Sequence, residues 1–173
     1  MAAGDVTIKY GDSTDMTVTN LHGIATSTTF IAGWESATID NTSTKFLDFL
    51  MSGTIQIHDD AAPGAGSQVR VYIVAMTSDT TWPDLMDGTE STDAFAGPEQ
   101  MLAVAKLGCV ISPLVTSGQN IIYSFGPFSV ANLYGGACPP KFVVFITHNT
   151  GANLHTSGNL VTYQGVSNNV AAS

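Results

Sequence analysis

Phe46-Leu-Asp-Phe-Leu-Met-Ser-Gly-Thr-Ile-Gln-Ile-His58 is the stretch of sequence that decides the fold of this chain. Its apolar side chains recur at every second position, at Leu47, Phe49, Met51, Ile55 and Ile57. Its polar side chains fill most of the positions between them, at Asp48, Ser52, Thr54 and Gln56. Because successive side chains of a β-strand point to opposite sides, this alternation predicts a strand with one buried face.

The same period of two appears elsewhere in the chain. Residues 67–76 place Val69, Val71, Ile73 and Ala75 on one side, and residues 119–128 place Ile121, Tyr123 and Phe125 together. Residues 141–148 are apolar on both faces, which predicts a central strand that is covered on both sides. Weaker patterns predict four more strands, at 5–10, 15–19, 28–39 and 159–168.

Turn-forming residues separate these segments. Gly11-Asp12-Ser13 lies between the first two, and residues 59–66 form a longer Asp-, Pro- and Gly-containing connection. In residues 128–135, Ser129 can cap a single helical turn and Gly135 can end it. About eight strands at this spacing predict an all-β, jelly-roll-like antiparallel β-sandwich, with one long loop and at most one short helix. We expect residues 1–173 to form a single domain.

Charge limits the partners that this chain can have. Only 11% of its 173 residues are charged, and the formal net charge is −9. Its five fixed cations are scattered along the chain, at Lys9, Lys45, Arg70, Lys106 and Lys141. Nucleic-acid phosphates and anionic membranes are both bound by clusters of Lys and Arg. We therefore expect no nucleic-acid partner and no membrane partner.

The cysteines and the N-terminal residues bear on the compartment. Cys109 and Cys138 are too few for a disulfide framework, so we expect reduced, buried side chains that behave as small apolar groups. The first residues lack the basic and apolar regions of a secretory signal peptide. We expect the protein to be made in a reducing cytoplasm.

Residues 78–98 interrupt the strand pattern and form what we term the acidic loop. Four carboxylates recur there at every third position, at Asp84, Asp87, Glu90 and Asp93. Clustered carboxylates and loop carbonyls can supply the oxygen ligands of Ca²⁺, although the spacing of an EF-hand is absent. These four residues are therefore weak Ca²⁺ candidates, and solvated loop charge is the alternative. As a surface feature, the loop is expected to be removable at residues 84–94 without loss of the fold.

The two tryptophans have different expected roles. Trp34 lies in a predicted strand and is expected in the core. Trp82 lies in the acidic loop, where an exposed ring together with Asp84 and Asp87 would form a contact surface for a glycan or a protein. The alternative is that Trp82 packs the loop onto its own domain.

No arrangement of residues in the sequence predicts catalysis. The histidines His22, His58, His148 and His155 fit no metal-binding spacing, and His58 and His148 are expected as partly exposed residues at strand ends. No nucleophile elbow or nucleotide-binding glycine loop is present. The sequence therefore predicts a non-enzymatic protein with no catalytic residues, no cofactor and no stronger metal site.

Several phrases are distinctive as strings of residues. In chain order they are Gly33–Thr42, Tyr123–Val130, Asn132–Gly136, Pro139–Lys141, Phe145–Gly151 and Tyr163–Val166. This order resembles small virion structural proteins of tailed bacteriophages, of the capsid decoration or auxiliary type, over residues 30–168. The resemblance carries over no catalytic residue.

The resemblance implies a β-sandwich or jelly roll on the outer capsid surface, made in the cytoplasm of the bacterial host. It implies the major capsid protein or other virion proteins as partners, and a homo-oligomer, with a trimer as one option. A tail or baseplate component is an alternative within this class. A carbohydrate-binding sandwich with Trp82 or Tyr134 as platform, or a hydrolase with an unrecognised site, would belong to other classes. A self-complementary apolar patch would favour an assembly protein.

Overall fold

The computed structural model describes residues 6–59, 62–114 and 120–170. Within these ranges the chain forms ten strands and two short helices. In chain order they are β1 (Val6–Asp15), β2 (Ala32–Glu35), β3 (Ile39–Asp40), β4 (Asp48–Gln56), β5 (Val69–Ala75), β6 (Ser91–Ala94), α1 (Pro98–Val104), β7 (Ala105–Ile111), β8 (Ile122–Ser129), α2 (Val130–Leu133), β9 (Lys141–His148) and β10 (Leu160–Val170).

The strands form two antiparallel sheets. The first sheet has the order β1-β10-β4-β8, and the second has the order β6-β2-β9-β5-β7 with β3 paired to β9. When the short β3 and β6 are set aside, the connections between successive strands cross from one sheet to the other. The exception is the connection from β5 to β7, which are neighbours in the second sheet. Eight strands connected in this way form a jelly roll. The predicted all-β jelly-roll sandwich is confirmed.

The main core fills the space between the two sheets, as the period-two pattern predicts. From β4 it contains Phe49, Met51 and Ile55, each at most 2% exposed. The ring of Phe49 meets that of Phe142, on β9 of the opposite sheet, edge to face at 5.4 Å between centroids. Each large apolar side chain buried in this way contributes about 1.5–3 kcal/mol to folding.

Strand β9 is covered on both faces, as its continuous apolar sequence predicts. Residues 142–148 are all buried. One face of β9 contributes to the main core, and the other contributes Val143 and Phe145 to a second apolar cluster on the outside of the second sheet. That cluster also contains Met86 and Phe95 from the acidic loop and Met101 from α1. The acidic loop and α1 therefore form a third layer over this sheet.

The predicted helical turn after β8 is confirmed as α2. The Ser129 hydroxyl oxygen accepts a hydrogen bond from the Asn132 backbone N–H at 3.0 Å, as an N-cap does. Asp48 of β4 also accepts from the backbone N–H of Ala131 at 2.7 Å. These two bonds satisfy N–H groups that the first turn of a helix leaves without an internal partner. With α1 there are two short helices in the described ranges, where the sequence predicts at most one.

Two strand predictions near the N-terminus are wrong. Gly11-Asp12-Ser13 does not end the first strand, because β1 continues to Asp15 through a register shift between Tyr10 and Ser13. Such a bulge adds a residue to one strand without ending the pairing. Residues 15–19 consequently do not form a separate strand. The predicted strand at 28–39 is two short strands, β2 and β3.

Two other details differ from the sequence prediction. Leu47 is 53% exposed, because β4 begins only at Asp48 and Leu47 lies outside the core. Strand β7 is not predicted from sequence, because Lys106 and Gly108 interrupt its apolar residues. Another register shift, between Val71 and Tyr72 of its partner β5, removes the simple alternation.

The acidic loop is not a removable surface insertion. Strand β6 lies within it and pairs with β2. Met86 is 4% exposed and Phe95 is 2% exposed. Deleting residues 84–94 would therefore remove part of a sheet and uncover the second apolar cluster, which contradicts the expectation that the fold tolerates this deletion.

Candidate functional site

Glu90 fastens the acidic loop to the sandwich. Its Oε1 atom accepts hydrogen bonds from the indole N–H of the fully buried Trp34 and from the backbone N–H of Asn20, both at 2.7 Å. Its Oε2 atom accepts from the Asn20 side-chain amide at 2.6 Å. Three donors thus occupy a carboxylate that the sequence offers as a Ca²⁺ candidate. Trp34 is in the core, as predicted.

Glu35 is a second anchor of the loop, and sequence reasoning did not identify it. This side chain is fully buried, and its Oε1 atom accepts from the backbone N–H groups of Gly88 at 2.7 Å and Asp87 at 3.2 Å. Burial raises the pKa of Glu35 from 4.5 to about 7, and the neighbouring carboxylates of Asp93 and Asp87 also raise it. The available signal in the sequence was a single carboxylate that ends the otherwise uncharged stretch Ala32–Glu35.

Gly88 is required where the loop crosses β2 and β3. Its φ is +79°, in the left-handed region that favours glycine. A Cβ at this position would lie 2.3 Å from the Thr38 hydroxyl oxygen and 2.8 Å from the Trp82 ring. The carbonyl oxygen of Gly88 accepts hydrogen bonds from the N–H and the hydroxyl of Thr38, both at 2.9 Å. Close contacts of the Gly88 backbone with Thr38 and Trp82 therefore hold this part of the loop in place.

The other three Ca²⁺ candidates are engaged in separate local contacts. Asp84 accepts from the backbone N–H of Ala96 at 2.7 Å, and Asp87 accepts from that of Thr89 at 2.7 Å. Asp93 accepts from the hydroxyl of Ser91. Across residues 6–59, 62–114 and 120–170, no group of three or more His, Cys, Asp or Glu side chains could hold a metal ion. The structure does not assemble the four carboxylates into a Ca²⁺ site.

This arrangement predicts that Ca²⁺ does not stabilise the protein. A cation that bound the folded state alone would raise the melting temperature by mass action. We expect millimolar CaCl₂ and EDTA to give the same melting temperature within error, as measured by differential scanning calorimetry. A reproducible rise with CaCl₂ that is lost in the Asp84→Asn/Asp87→Asn variant would show instead that the loop binds the ion.

The aromatic candidates for a glycan platform are turned toward the protein. Trp82 is half-buried and packs against the second apolar cluster. The hydroxyl of Tyr134 donates to the backbone carbonyl of Ile73 at 3.2 Å, and burial raises the pKa of Tyr134 to about 12. Both side chains are only partly exposed, whereas the carbohydrate-binding alternative requires an exposed ring beside loop carboxylates.

Two of the histidines contact hydroxyl groups, with Nδ1 of His155 at 3.0 Å from the Ser157 hydroxyl oxygen and Nδ1 of His148 at 3.0 Å from that of Thr150. His148 ends β9 as predicted, but it is fully buried, so its predicted partial exposure is wrong. Its Nε2 atom donates to the Ile24 carbonyl oxygen at 3.2 Å, and burial lowers its pKa to about 4. The His58 ring stacks on that of His155 at 5.1 Å between centroids, and Nδ1 of His58 lies 3.2 Å from an Asp59 oxygen.

One surface pocket, of about 340 Å³, lies where residues 76–79 meet the start of β9. Its lining residues are Thr42, Met76, Thr77, Ser78, Asp79, Pro140 and Lys141. The Lys141 ammonium lies 3.4 Å from a carboxylate oxygen of Asp40, outside the pocket lining. The pocket contains one cation, one carboxylate and three hydroxyls, with no histidine or cysteine among its lining residues.

The cysteines are less buried than the sequence predicts. Cys109 and Cys138 are both free thiols, although each is only partly buried. Burial raises the pKa of Cys138 to about 12, and the carboxylate of Asp48 adds to this effect. Because the thiolate is the reactive form, Cys138 is poorly suited to nucleophilic chemistry.

Three large apolar side chains on β1 are exposed. Val6, Ile8 and Tyr10 are 62%, 66% and 57% exposed. Tyr10 lies opposite Val166 on β10, whose neighbour Gly165 is buried, so this set faces away from the core. Residues 167–170 of β10 pair with β1 but not with β4. We call residues 6–10 together with 166–170 the β1–β10 ribbon.

The ribbon is also an open edge of its sheet. Among the described residues, β1 pairs with β10 alone, so its other side carries backbone groups without a strand partner. Sequence analysis predicted a strand at 5–10 but not its exposure. The sequence holds no signal for this exposure, because Val6, Ile8 and Tyr10 alternate with polar residues just as core-facing residues do.

Comparison with known proteins adds a single structural likeness to this description. No protein-family model matches the chain, and no curated protein matches it. Among solved structures, a chain titled turnip yellow mosaic virus is similar, with 15% identity and a TM-score of 0.33. The match covers 98% of this chain and 95% of that one.

The helices of this protein are short. None in the described part of the chain has the length and apolar character needed to cross a membrane.

Proposed function

We propose that this protein is a non-enzymatic structural protein of a tailed-bacteriophage virion. It binds the outer surface of the capsid, where it contacts the major capsid protein or other virion proteins and further copies of itself. In this proposal it is synthesised in the cytoplasm of the bacterial host and has no catalytic residues and no cofactor.

The exposed apolar face of the β1–β10 ribbon carries this proposal. Three large side chains that are more than half exposed lie in a row on one strand, at Val6, Ile8 and Tyr10. Contiguous apolar surface that is rimmed by polar residues marks sites of protein association. An assembly protein uses such a surface, whereas an enzyme or a glycan-binding module presents a concave polar site.

The rest of the molecule is compatible with a role in a lattice. Two packed sheets with a third layer over one of them form a rigid body. A net charge of −9 keeps copies of the chain soluble and separate until a specific contact forms. Jelly rolls occur in viral capsid proteins and in lectins, so the fold by itself is an analogy and does not choose between them.

Binding to virion parts tests the proposal directly. Purified protein would be mixed with capsids that lack it, and separately with isolated tails, and then sedimented over a range of concentrations. We expect saturable binding to capsids, with bound copies approaching a fixed number per particle. An unrelated acidic β-sandwich protein of similar mass serves as the control.

Each outcome of this experiment has a distinct meaning. Saturable binding to tails alone would replace the capsid surface with a tail or baseplate location. Absence of binding to both particles would refute the virion role. Specific binding on a glycan array in that case would establish the carbohydrate-binding alternative.

A further inference from the structure

We infer that strand β1 is the contact through which two copies of this chain join, by antiparallel pairing of β1 with the same strand of a second copy. This inference deepens the proposed function, because it names the partner and the register of one lattice contact. It rests on the ribbon geometry and can fail while the virion role stands.

The first argument is the open edge. A strand at the edge of a sheet presents backbone N–H and C=O groups that can pair with another strand. Natural proteins protect such edges with bulges, proline, charge or a covering segment. In β1 the bulge comes only after Tyr10, and the five residues before it contain one charge, Lys9, and no proline. Residues 6–10 therefore form a regular, little-protected edge.

The second argument is charge. The chain carries 14 acidic and 5 basic residues, so most of its surface repels a second copy. Within residues 6–10 and 166–170, Lys9 is the sole charged residue. Two copies therefore meet the least repulsion where their ribbons face each other. A partner of opposite charge would have no reason to prefer this neutral strip over the acidic remainder.

The third argument is the match between side chains. In an antiparallel pair centred on Ile8, Ile8 lies opposite Ile8 of the second copy, and Val6 lies opposite Tyr10. Directly opposite residues point to the same face, so the apolar residues of both copies form one continuous patch. Lys9 lies opposite Thr7, whereas a pair centred on Lys9 would bring two ammonium groups together. The Ile8-centred register uses all five residues before the bulge.

The contact is small, so we expect it to be weak. Five residues on each side bury far less than the roughly 1,200 Å² of a stable protein interface. We therefore expect association that rises with concentration and becomes complete only at the high local concentration of a virion surface. Covalent trapping detects such a weak contact better than a measurement of molecular mass on a dilute sample.

Disulfide trapping tests both the contact and its register. Directly opposite residues have Cα atoms about 4.5–5.5 Å apart, within the range that a disulfide spans. We expect Ile8→Cys to give disulfide-linked dimers under mild oxidation, doubling the mass from 18.0 kDa on a non-reducing gel. Tyr10→Cys is the matched control, because the two Tyr10 positions would lie about 14 Å apart in this register.

A mixture completes the register test. Val6→Cys and Tyr10→Cys should each remain monomeric alone, and should cross-link when mixed, because Val6 lies opposite Tyr10 of the second copy. The unsubstituted chain gives the background from its two native cysteines. Equal melting temperatures of all variants would show that each is folded, as expected for substitutions at exposed positions.

The outcomes separate this inference from the proposed function. If Ile8→Cys cross-links no more than Tyr10→Cys, both in solution and on capsids, β1 is not the self-contact and the inference is overturned. Saturable capsid binding in that case would leave the virion role intact. Cross-linking in the predicted pattern without binding to capsids or to tails would establish the self-contact and reject the virion role.

Discussion

Replacing Phe95 with alanine is expected to lower the free energy of unfolding by about 3–5 kcal/mol, a large fraction of the stability of a domain this size. Phe95 comes from the acidic loop, is 2% exposed, and meets the ring of Phe145 edge to face at 5.0 Å between centroids. Alanine would leave a cavity over β9 and remove this aromatic contact. Urea unfolding followed by tryptophan fluorescence measures the change.

The matched control lies in the same loop. Leu85 is 60% exposed, so Leu85→Ala should change the free energy of unfolding by no more than about 0.5 kcal/mol. Similar small effects of Phe95→Ala and Leu85→Ala would mean that the loop does not cover the second sheet. That result would reinstate the interpretation of residues 78–98 as a surface insertion.

The second large effect is the pH dependence of stability, which comes from two buried groups whose pKa values are shifted in opposite directions. The folded-state pKa of Glu35 is raised from 4.5 to about 7, so its stabilising contribution is full below pH 4.5 and is lost as pH rises through 7. The folded-state pKa of His148 is lowered from 6.5 to about 4, so its contribution is full above pH 6.5 and is lost as pH falls through 4. Each amounts to about 3 kcal/mol, from about 1.4 kcal/mol per pKa unit.

Between pH 4.5 and 6.5 the contributions of Glu35 and His148 to stability change with pH in opposite directions. Replacing either residue should therefore reveal the pH dependence that comes from the other. We expect Glu35→Gln, whose amide oxygen can still accept from Gly88, to lose about 3 kcal/mol of stability as pH falls across this window, because only His148 then titrates. His148→Gln should instead gain stability as pH falls. Urea unfolding at half-unit pH steps measures both slopes.

The double variant is the control for this experiment. Glu35→Gln/His148→Gln should lack both slopes, leaving only the pH dependence of surface carboxylates. If the Glu35→Gln profile runs parallel to that of the unchanged protein, Glu35 ionises with an ordinary pKa. The carboxylate would then be reached by water, in contradiction to its buried place under the acidic loop.

The strands that the sequence predicts well are those whose burial is set by their own pattern. Strand β4 alternates because one face meets the core, and β9 is apolar throughout because both faces are covered. The α2 turn follows from the capping chemistry of Ser129, which acts over three residues. In these cases local sequence and tertiary environment agree.

The predictions that failed depend on contacts between distant residues. Met86 and Phe95 are apolar residues in a segment that contains several carboxylates, and nothing nearby in sequence shows that they cover β9. Glu35 is buried by residues 87 and 88, and His148 bonds to Ile24 across 124 residues. A regular spacing of carboxylates indicates a shared function only if the chain keeps one regular conformation. It does not do so across Asp84, Asp87, Glu90 and Asp93.

The pairing of β1 with β10 has a consequence for synthesis. Tyr10 pairs with Val166 and Val6 with Val170, so more than 150 residues separate the two halves of the ribbon. A ribosome releases β1 first, and at about 5–20 residues per second its pairing partner follows many seconds later. During that interval β1 has no partner strand from its own chain. A neighbouring nascent chain on the same messenger RNA could then pair with it. Slow translation should therefore favour misassembled oligomers over folded monomers.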